Sequence, residues 1–445
     1  MNEISELPEL QALERPSHII RLPDQLDVPV SRRVLRLIDS PTFRRLADIR
    51  QLGLVALVYP GATHTRFEHS LGVYRNALLF LRHLLADPRF LEVMSVEAAE
   101  GLLVSALLHD IGHWPYCHPI EDLELPGMPS HESIAESTIQ DGEIADCLDE
   151  DWRVSPTEVS GLIAGRPTDG SFRLAASILS GPLDVDKIDY LYRDSLHAGV
   201  PYGRNFDVGR LISSLCLNAA GDGIAITNKG RTAAELLVFA RYVMFNEVYW
   251  HHTVRSATAM LQRAFFELLG TSDYSPWCRL VDRTWESSMM SVAAGTTYQP
   301  LVEGLFGAER RLYKRWFQLN SFDHPDLYKR LARRPYNWAV KLARALAQIL
   351  ETTEGIEVSA EDILVDAPPV GLEVQFNVDV WDSRRGQYDP LAELSPVVAA
   401  LAERQFDEFV KQLRIFVAPQ MVERIASRSA IDLLHQALLA VDETK

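Results

Sequence analysis

The stretch from Leu102 to His118, LLVSALLHDIGHWPYCH, constrains this chain more than any other. An apolar helical run ends on the adjacent pair His109 and Asp110, and His113 and His118 follow. Side by side at the end of a helix, these two side chains pack poorly, yet both can turn onto one cation. Pro115 cannot continue a helix, so the segment must break just after His113. His69 lies upstream in RFEHSLG and Asp186 downstream in LDVDKIDYLYRD. The four residues His69, His109, Asp110 and Asp186 offer two imidazole nitrogens and two carboxylates. That donor set suits one divalent ion per site and accepts Mn, Fe, Mg, Zn or Ni without distinguishing them. A six-coordinate ion so held keeps about two positions for water and a phosphate oxygen, as metal-assisted hydrolysis requires.

The chain has 445 residues, 47% of them hydrophobic, which is enough to bury a large core and too many for a disordered chain. A formal charge of -17 argues against broad attraction to nucleic acid or to an anionic membrane. A polyanionic substrate would need a local basic pocket. The four cysteines (Cys117, Cys147, Cys216, Cys278) are scattered without a CxxC pair, which points to a reducing compartment. The N-terminal residues lack a positive-then-apolar signal pattern, and no apolar run approaches the ~20 residues of a bilayer span. A soluble, cytoplasmic protein is expected.

Helical periodicity is expected over Val30 to Leu46 with a new start at Ser40 and Pro41, over Phe67 to Leu85, Val96 to His109, Phe172 to Leu179 and Val185 to His197, and along Thr232 to Leu269. Aromatic-rich stretches at Leu312 to Trp316 and Tyr328 to Trp338 also read as helix. Short strands are expected at Val55 to Val58, Ile224 to Thr227, Ile363 to Val365 and Glu373 to Val380, and a final helix from Pro396 to Val417. The fold class is therefore mainly α. An N-terminal tail (1–18) precedes a helical core (19–352), and a smaller α+β appendage (353–445) follows, without a motif of its own and expected to serve assembly.

Seven of the thirteen histidines fall between residues 64 and 131, and this clustering raises ligation and acid/base roles above the usual packing role of a lone histidine. His113, His118, His131 and Glu121 are the acid/base and supporting candidates. Imidazole titrates near neutrality and can protonate an alkoxide leaving group. Glu121, three residues after His118, can orient that ring. His64 and His83 read as surface or packing residues.

The ordered motifs QLGLVALVYPGATHTRFEHSLG, HDIGHWPYCHPIE, DVDKIDYLYRDSLHAGV and RYVMFNEVYWHHT together resemble the HD-domain deoxynucleoside triphosphate triphosphohydrolases, from about Ile19 to about Pro419. The resemblance implies a helical HD-domain core and hydrolysis of a dNTP at the α-phosphorus, giving deoxynucleoside and inorganic triphosphate. It implies metal ligation by His69, His109, Asp110 and Asp186. It makes His118 the general acid at the 5′-oxygen, with His113 and His131 along the α-phosphate. Arg66, Lys187 and Arg241 would hold the phosphates. Gln51 and Asp194 would hydrogen-bond the 3′-hydroxyl, with Tyr190 against the sugar where a 2′-hydroxyl would sit. Leu52, Tyr249 and His251 would lie near the base. Glu121 replaces the Asp more usual in the family. Asp39 matches a guanine-reading residue of a vertebrate member's allosteric pocket, whereas Arg44 and Ala47 depart from it. A nucleotide effector and a homo-oligomer, dimer or tetramer, are expected by the same analogy.

Spacing alone gives these assignments physical sense. Asp194 lies eight residues after Asp186, about two helical turns on, so both project from one face with Tyr190 between them. Two other readings stay open: an HD-type phosphatase or phosphodiesterase acting on another nucleotide, and a nucleotide-binding sensor without turnover.

Overall fold

The computed structural model describes residues 3–270, 273–368, 377–401 and 410–442. Its fold is mainly α, with three small sheets among the described residues. The chain forms two compact units, and both are discontinuous in sequence. The first takes Met1–Pro115, Pro129–Met244 and Gln375–Glu403; the second takes Tyr116–Met128, Phe245–Val374 and Arg404–Lys445. No helix among the described residues is long and apolar enough to cross a membrane.

The first unit is built around the helix Val96–Leu108, whose residues from Ala98 to Leu108 are all buried. A helix buried along nearly its whole length is a central one. Ser95 caps it by accepting from the backbone of Ala98. Arg66–Leu84, Pro156–Ile163 and Gly170–Ser180 pack around it. Arg66–Leu84 starts on Thr65, whose side chain accepts from the Glu68 amide, and it carries His69 one turn in. Val185–Ala198 starts on Asp184, whose carboxylate accepts from Lys187, and it stops at Gly199 in the left-handed region at φ 72°. These two helices pack on each other, which brings the His69 and Asp186 stretches together.

Two glycines permit close approaches that decide the site. A Cβ on Gly72 would lie 1.9 Å from Asp189 Oδ1 and 2.3 Å from Arg193 Nη2. A Cβ on Gly112 would lie 2.1 Å from the carbonyl oxygen of His131 and 2.4 Å from the Ala135 nitrogen. The helix His131–Gln140 therefore rests directly on the backbone that follows Asp110.

The expected helices appear at Arg32–Ile38 and Pro41–Arg44, Arg66–Leu84, Val96–Leu108, Gly170–Ser180 and Val185–Ala198. Strands stand at Ile224–Thr227 and Ile363–Asp366, as expected. Five elements differ, one being Tyr328 to Trp338, which divides between the helices Pro325–Leu331 and Tyr336–Glu354. Val55 to Val58 is not a strand. It falls in a 3-10 turn, Gly53–Leu57, because Arg50 bridges back to Thr65 and the chain between them must reverse. The long pattern from Thr232 divides into Arg231–Met244 and His252–Leu269, separated by a π turn at Phe245–Tyr249. Leu312 to Trp316 leads into a strand, Lys314–Leu319. Within the expected final helix, Pro396–Ala400 is helical and residues 402–409 lie outside the described residues, whereas Leu413–Val417 is a strand whose five residues are all buried. Short apolar runs of this kind carry no period that separates helix from strand. Leu413–Val417 lies centrally, between Lys314–Leu319 and Ile363–Asp366, and pairing on both sides decides its state. Residues 373–376 of the expected strand Glu373 to Val380 lie outside the described residues, and a strand runs from Asp379 to Asp382. The hairpin His18–Leu22 with Leu26–Val30 had no counterpart in the sequence reading.

Candidate metal centre

His109 stands at the C-terminal cap of Val96–Leu108, and Asp110 follows in the turn. His69 comes from the first turns of the preceding helix and Asp186 from the first turn of Val185–Ala198. Four donor atoms converge. His69 Nε2 is 3.2 Å from His109 Nε2 and 3.0 Å from Asp186 Oδ1. His109 Nε2 is 3.6 Å from Asp110 Oδ1 and 3.8 Å from Asp186 Oδ1. An ion with ligands at ~2.1 Å sets neighbouring donors ~3.0 Å apart and opposite donors ~4.2 Å apart. The measured spacings fall within that range.

The ring tautomers agree with this reading. His69 Nδ1 is 2.8 Å from Asp189 Oδ2, and a carboxylate can only accept, so the proton sits on Nδ1. His109 Nδ1 lies 3.0 Å from the carbonyl oxygen of Ala106, which likewise can only accept. Each ring thus presents an Nε2 lone pair to the same point, the outer arrangement that metal-binding histidines use. Two facing lone pairs repel unless a cation or a proton lies between them. Burial opposes charge on His69, yet hydrogen bonds to Asp186 and Asp189 raise its pKa to about 10. Burial likewise opposes ionisation of Asp110, but Arg66 and then the nearby histidines hold its carboxyl well below the usual range. The pocket is built for positive charge, and its residues fit a divalent ion.

Around this point the other expected residues of the first unit fall as follows. Arg66 Nη1 donates to Asp110 Oδ2 at 2.8 Å. His113 Nδ1 is 3.1 Å from Asp110 Oδ1, and its ring faces that of His131 at 4.1 Å. Lys187 turns back to Asp184 and donates to the Gly181 carbonyl at 3.1 Å. Burial pushes Asp184 up to about 6 against the pull of Lys187. Tyr190 is buried enough to raise its pKa, and Arg241, itself buried, opposes that shift. Asp194 accepts from His64 Nε2 at 2.9 Å. Gln51 has a buried Oε1 without a hydrogen-bond partner among the described residues, and its neighbour Leu52 is half-buried. His83 is a packing residue, as expected, with Nε2 3.0 Å from the Leu215 carbonyl oxygen.

The second unit holds the remaining four. His118 is exposed, with Nδ1 3.9 Å from Glu121 Oε2, and together with Cys117 the two form a second group that could hold a metal ion. Tyr249 packs edge-on against Phe245 at 5.1 Å within the π turn. His251 caps His252–Leu269 by accepting from the Thr253 amide, and burial lowers its pKa.

Comparison with known proteins agrees with the metal site. An HD domain is matched over residues 66–194, and an HD associated region over residues 206–440, more than half of the chain. The chain belongs to the HD-domain family. It is similar to an uncharacterized protein of Methanocaldococcus jannaschii, 29% identical over 433 residues, covering 95% of this chain and 84% of that one. It is also similar to the deoxynucleoside triphosphate triphosphohydrolase SAMHD1 of Gallus gallus, 30% identical over 263 residues. That match covers 52% of this chain and only 42% of the chicken enzyme. A hypothetical protein from Aquifex aeolicus has a similar structure, with a TM-score of 0.71 at 29% identity, covering 92% of this chain and 99% of that one.

Several working residues of this HD-domain protein escape the sequence reading. Asp189 fixes the ring of His69 and is itself held by Arg193 at 2.9 and 2.7 Å. Arg193 is completely buried and also donates to Glu68 at 2.7 Å. Burial opposes ionisation of Asp189, but Arg193 holds its pKa at about 2. One signal could have revealed them: Asp189 and Arg193 are four residues apart, ion-pair spacing on a helix that also carries Asp186.

Proposed function

We propose that this protein is a metal-dependent phosphohydrolase that cleaves deoxynucleoside triphosphates at the α-phosphorus, releasing deoxynucleoside and inorganic triphosphate. One observation carries the reading: the helix that brings Asp186 to the donor cluster also bears Tyr190 and Asp194, one and two turns further on. A ligand bound through phosphate at the cluster has sugar-sized polar and aromatic groups along the same helix. The similarity to the chicken triphosphohydrolase supports the same substrate class.

A bound divalent ion supplies a water of lowered pKa and neutralises charge on the attacked phosphate. The chain does the rest. His69 and His109 hold their lone pairs in place through Asp189 and the Ala106 carbonyl. Arg66, beside Asp110, is a fixed cation for a phosphate oxygen, and planar guanidinium suits that partner. Arg241 and Lys187 serve the outer phosphates, Gln51 and Asp194 the 3′-hydroxyl, and Leu52, Tyr249 and His251 the base. His118 delivers the proton to the 5′-oxygen, with Glu121 beside its ring to orient it. His113 and His131 line the α-phosphate. Assembly as a homo-oligomer and control by a nucleotide effector belong to the same reading.

The test is product analysis. Each dNTP is incubated with the full chain and Mn²⁺ or Mg²⁺, and the products are separated by ion exchange. Nucleoside and triphosphate are expected. Monophosphate with pyrophosphate would refute the cleavage position, and no turnover with any divalent metal would refute the activity.

A further inference from the structure

His64 has a place in the first unit that neither the sequence nor the metal site accounts for. Its side chain is completely buried, and Nε2 lies 2.9 Å from Asp194 Oδ1. Because a carboxylate only accepts, the imidazole carries its proton on Nε2 and donates. Nδ1 is buried and has no hydrogen-bond partner among the described residues. A buried polar atom left unsatisfied costs on the order of 1–3 kcal/mol, so packing alone does not favour a histidine here.

The ring is also held from behind. His197 stacks on it with centroids 4.4 Å apart and planes 17° from parallel. His197 Nε2 is in turn 2.9 Å from Glu68 Oε1, and Arg193 donates to that same oxygen at 2.7 Å. The stack is thus tied to the ion-pair network that orients His69, and His64 cannot turn without disturbing it. On its other side the backbone carbonyl of His64 accepts from the Gln51 amide at 3.0 Å. One residue therefore grips Asp194 with its ring and the Gln51 backbone with its own, although the two lie 143 positions apart in sequence.

We propose that His64 is a positioning residue for sugar recognition, its ring setting the Asp194 carboxylate and its carbonyl setting Gln51 so that the pair meets a 3′-hydroxyl in fixed geometry. This rests on the nucleotide reading given above. The ring fixes one carboxylate oxygen, which selects one Asp194 rotamer. The substrate then does not have to order that side chain on binding, a cost of the kind that preorganisation removes.

The experiment compares the wild type with His64→Ala and His64→Gln, each as the full metal-loaded chain, on a deoxynucleoside triphosphate and on its 2′,3′-dideoxy analogue. Gln can donate from nearly the same position and serves as the rescue variant and as the safeguard against misfolding. His64→Ala is expected to raise KM for the deoxynucleotide about tenfold with kcat within about twofold, the size of one lost buried hydrogen bond. More tellingly, wild type should discriminate strongly against the dideoxy analogue, whereas His64→Ala should treat the two within about twofold. His64→Gln should recover most of that discrimination. A folded His64→Ala variant that keeps the wild-type ratio overturns the role of His64 and leaves the nucleotide reading intact. So does a fall in kcat alone at constant ratio. A wild type that turns over no deoxynucleoside triphosphate overturns both.

Discussion

His69 and Asp189 are joined from Nδ1 to Oδ2 at 2.8 Å, and this single contact decides which nitrogen of the ring faces the cation site. Asp189→Asn keeps an acceptor but lowers the basicity of His69 and leaves the guanidinium of Arg193 without its bidentate carboxylate. Affinity for Mn²⁺ is expected to fall about 10- to 100-fold, the usual cost of losing such a supporting carboxylate. Calorimetric titration of the metal-free protein measures it. Unchanged affinity would remove Asp189 from the site.

Removing a direct donor should be more severe. His109→Ala and Asp186→Ala each take away one of four converging atoms and are expected to lose bound metal after dialysis, with turnover reduced by more than about a thousandfold. Elemental analysis gives the metal content, and the helical circular dichroism signal should be retained. Retention of a full equivalent of metal by both variants would refute the ligand set.

Gly72→Ala inserts a methyl group where Asp189 Oδ1 would be only 1.9 Å away. A flexible side chain could yield, but Asp189 and Arg193 are buried and locked to each other. Destabilisation by about 3 kcal/mol is expected, together with weaker metal binding. Denaturant unfolding and metal titration check the two halves separately, and a loss under about 1 kcal/mol would mean that the ion pair has room to move.

Arg414 lies in the middle strand of the sheet of the second unit, register-paired with Asp366. Asp366 gives its carboxylate to Arg255 instead, at 3.1 and 2.5 Å. Arg414 keeps Nε and Nη1 buried without hydrogen-bond partners among the described residues, and burial lowers its pKa to about 10. Arg414→Met removes a desolvated charge at similar volume and is expected to stabilise the fold by about 1–3 kcal/mol. A lower denaturation midpoint in Arg414→Met would contradict this.

Burial, with His251, Arg315 and Arg414 nearby, lowers His252 from its ordinary 6.5 to about 4. Its proton is therefore bound more tightly by the unfolded chain than by the folded one. The neutral ring's contribution to stability is complete above pH 6.5 and is lost as pH falls from there toward 4. His252→Gln should show a smaller drop in melting temperature between pH 7.5 and pH 5 than the wild type. Parallel melting curves for the two proteins across that range would exclude His252 as a source of acid sensitivity.

The donor set was legible because an adjacent His and Asp closing an apolar helix have no good packing explanation. Its support was not. Asp189 and Arg193 sit in DKIDYLYRD, a string that reads as an ordinary solvated helix face, and only the packing of the neighbouring helix against Gly72 buries them. His64 shows the opposite problem: the sequence places it as surface or packing, and burial is right, but its partner lies 130 residues away. The strand Leu413–Val417 has a helix-like local pattern, and its neighbours Lys314–Leu319 and Ile363–Asp366, which make it a strand, are distant in sequence. Local pattern carries hydrophobic period and capping. It does not carry which buried groups meet.

The chain leaves the first unit at Pro115, returns at Pro129, leaves again after Met244 and comes back at Gln375. During synthesis, His69, His109, Asp110 and Asp186 all emerge from the ribosome well before the last stretch that completes their unit. No single break in the polypeptide can release either half intact. A break anywhere between Pro115 and Gln375 leaves parts of the first unit on both fragments.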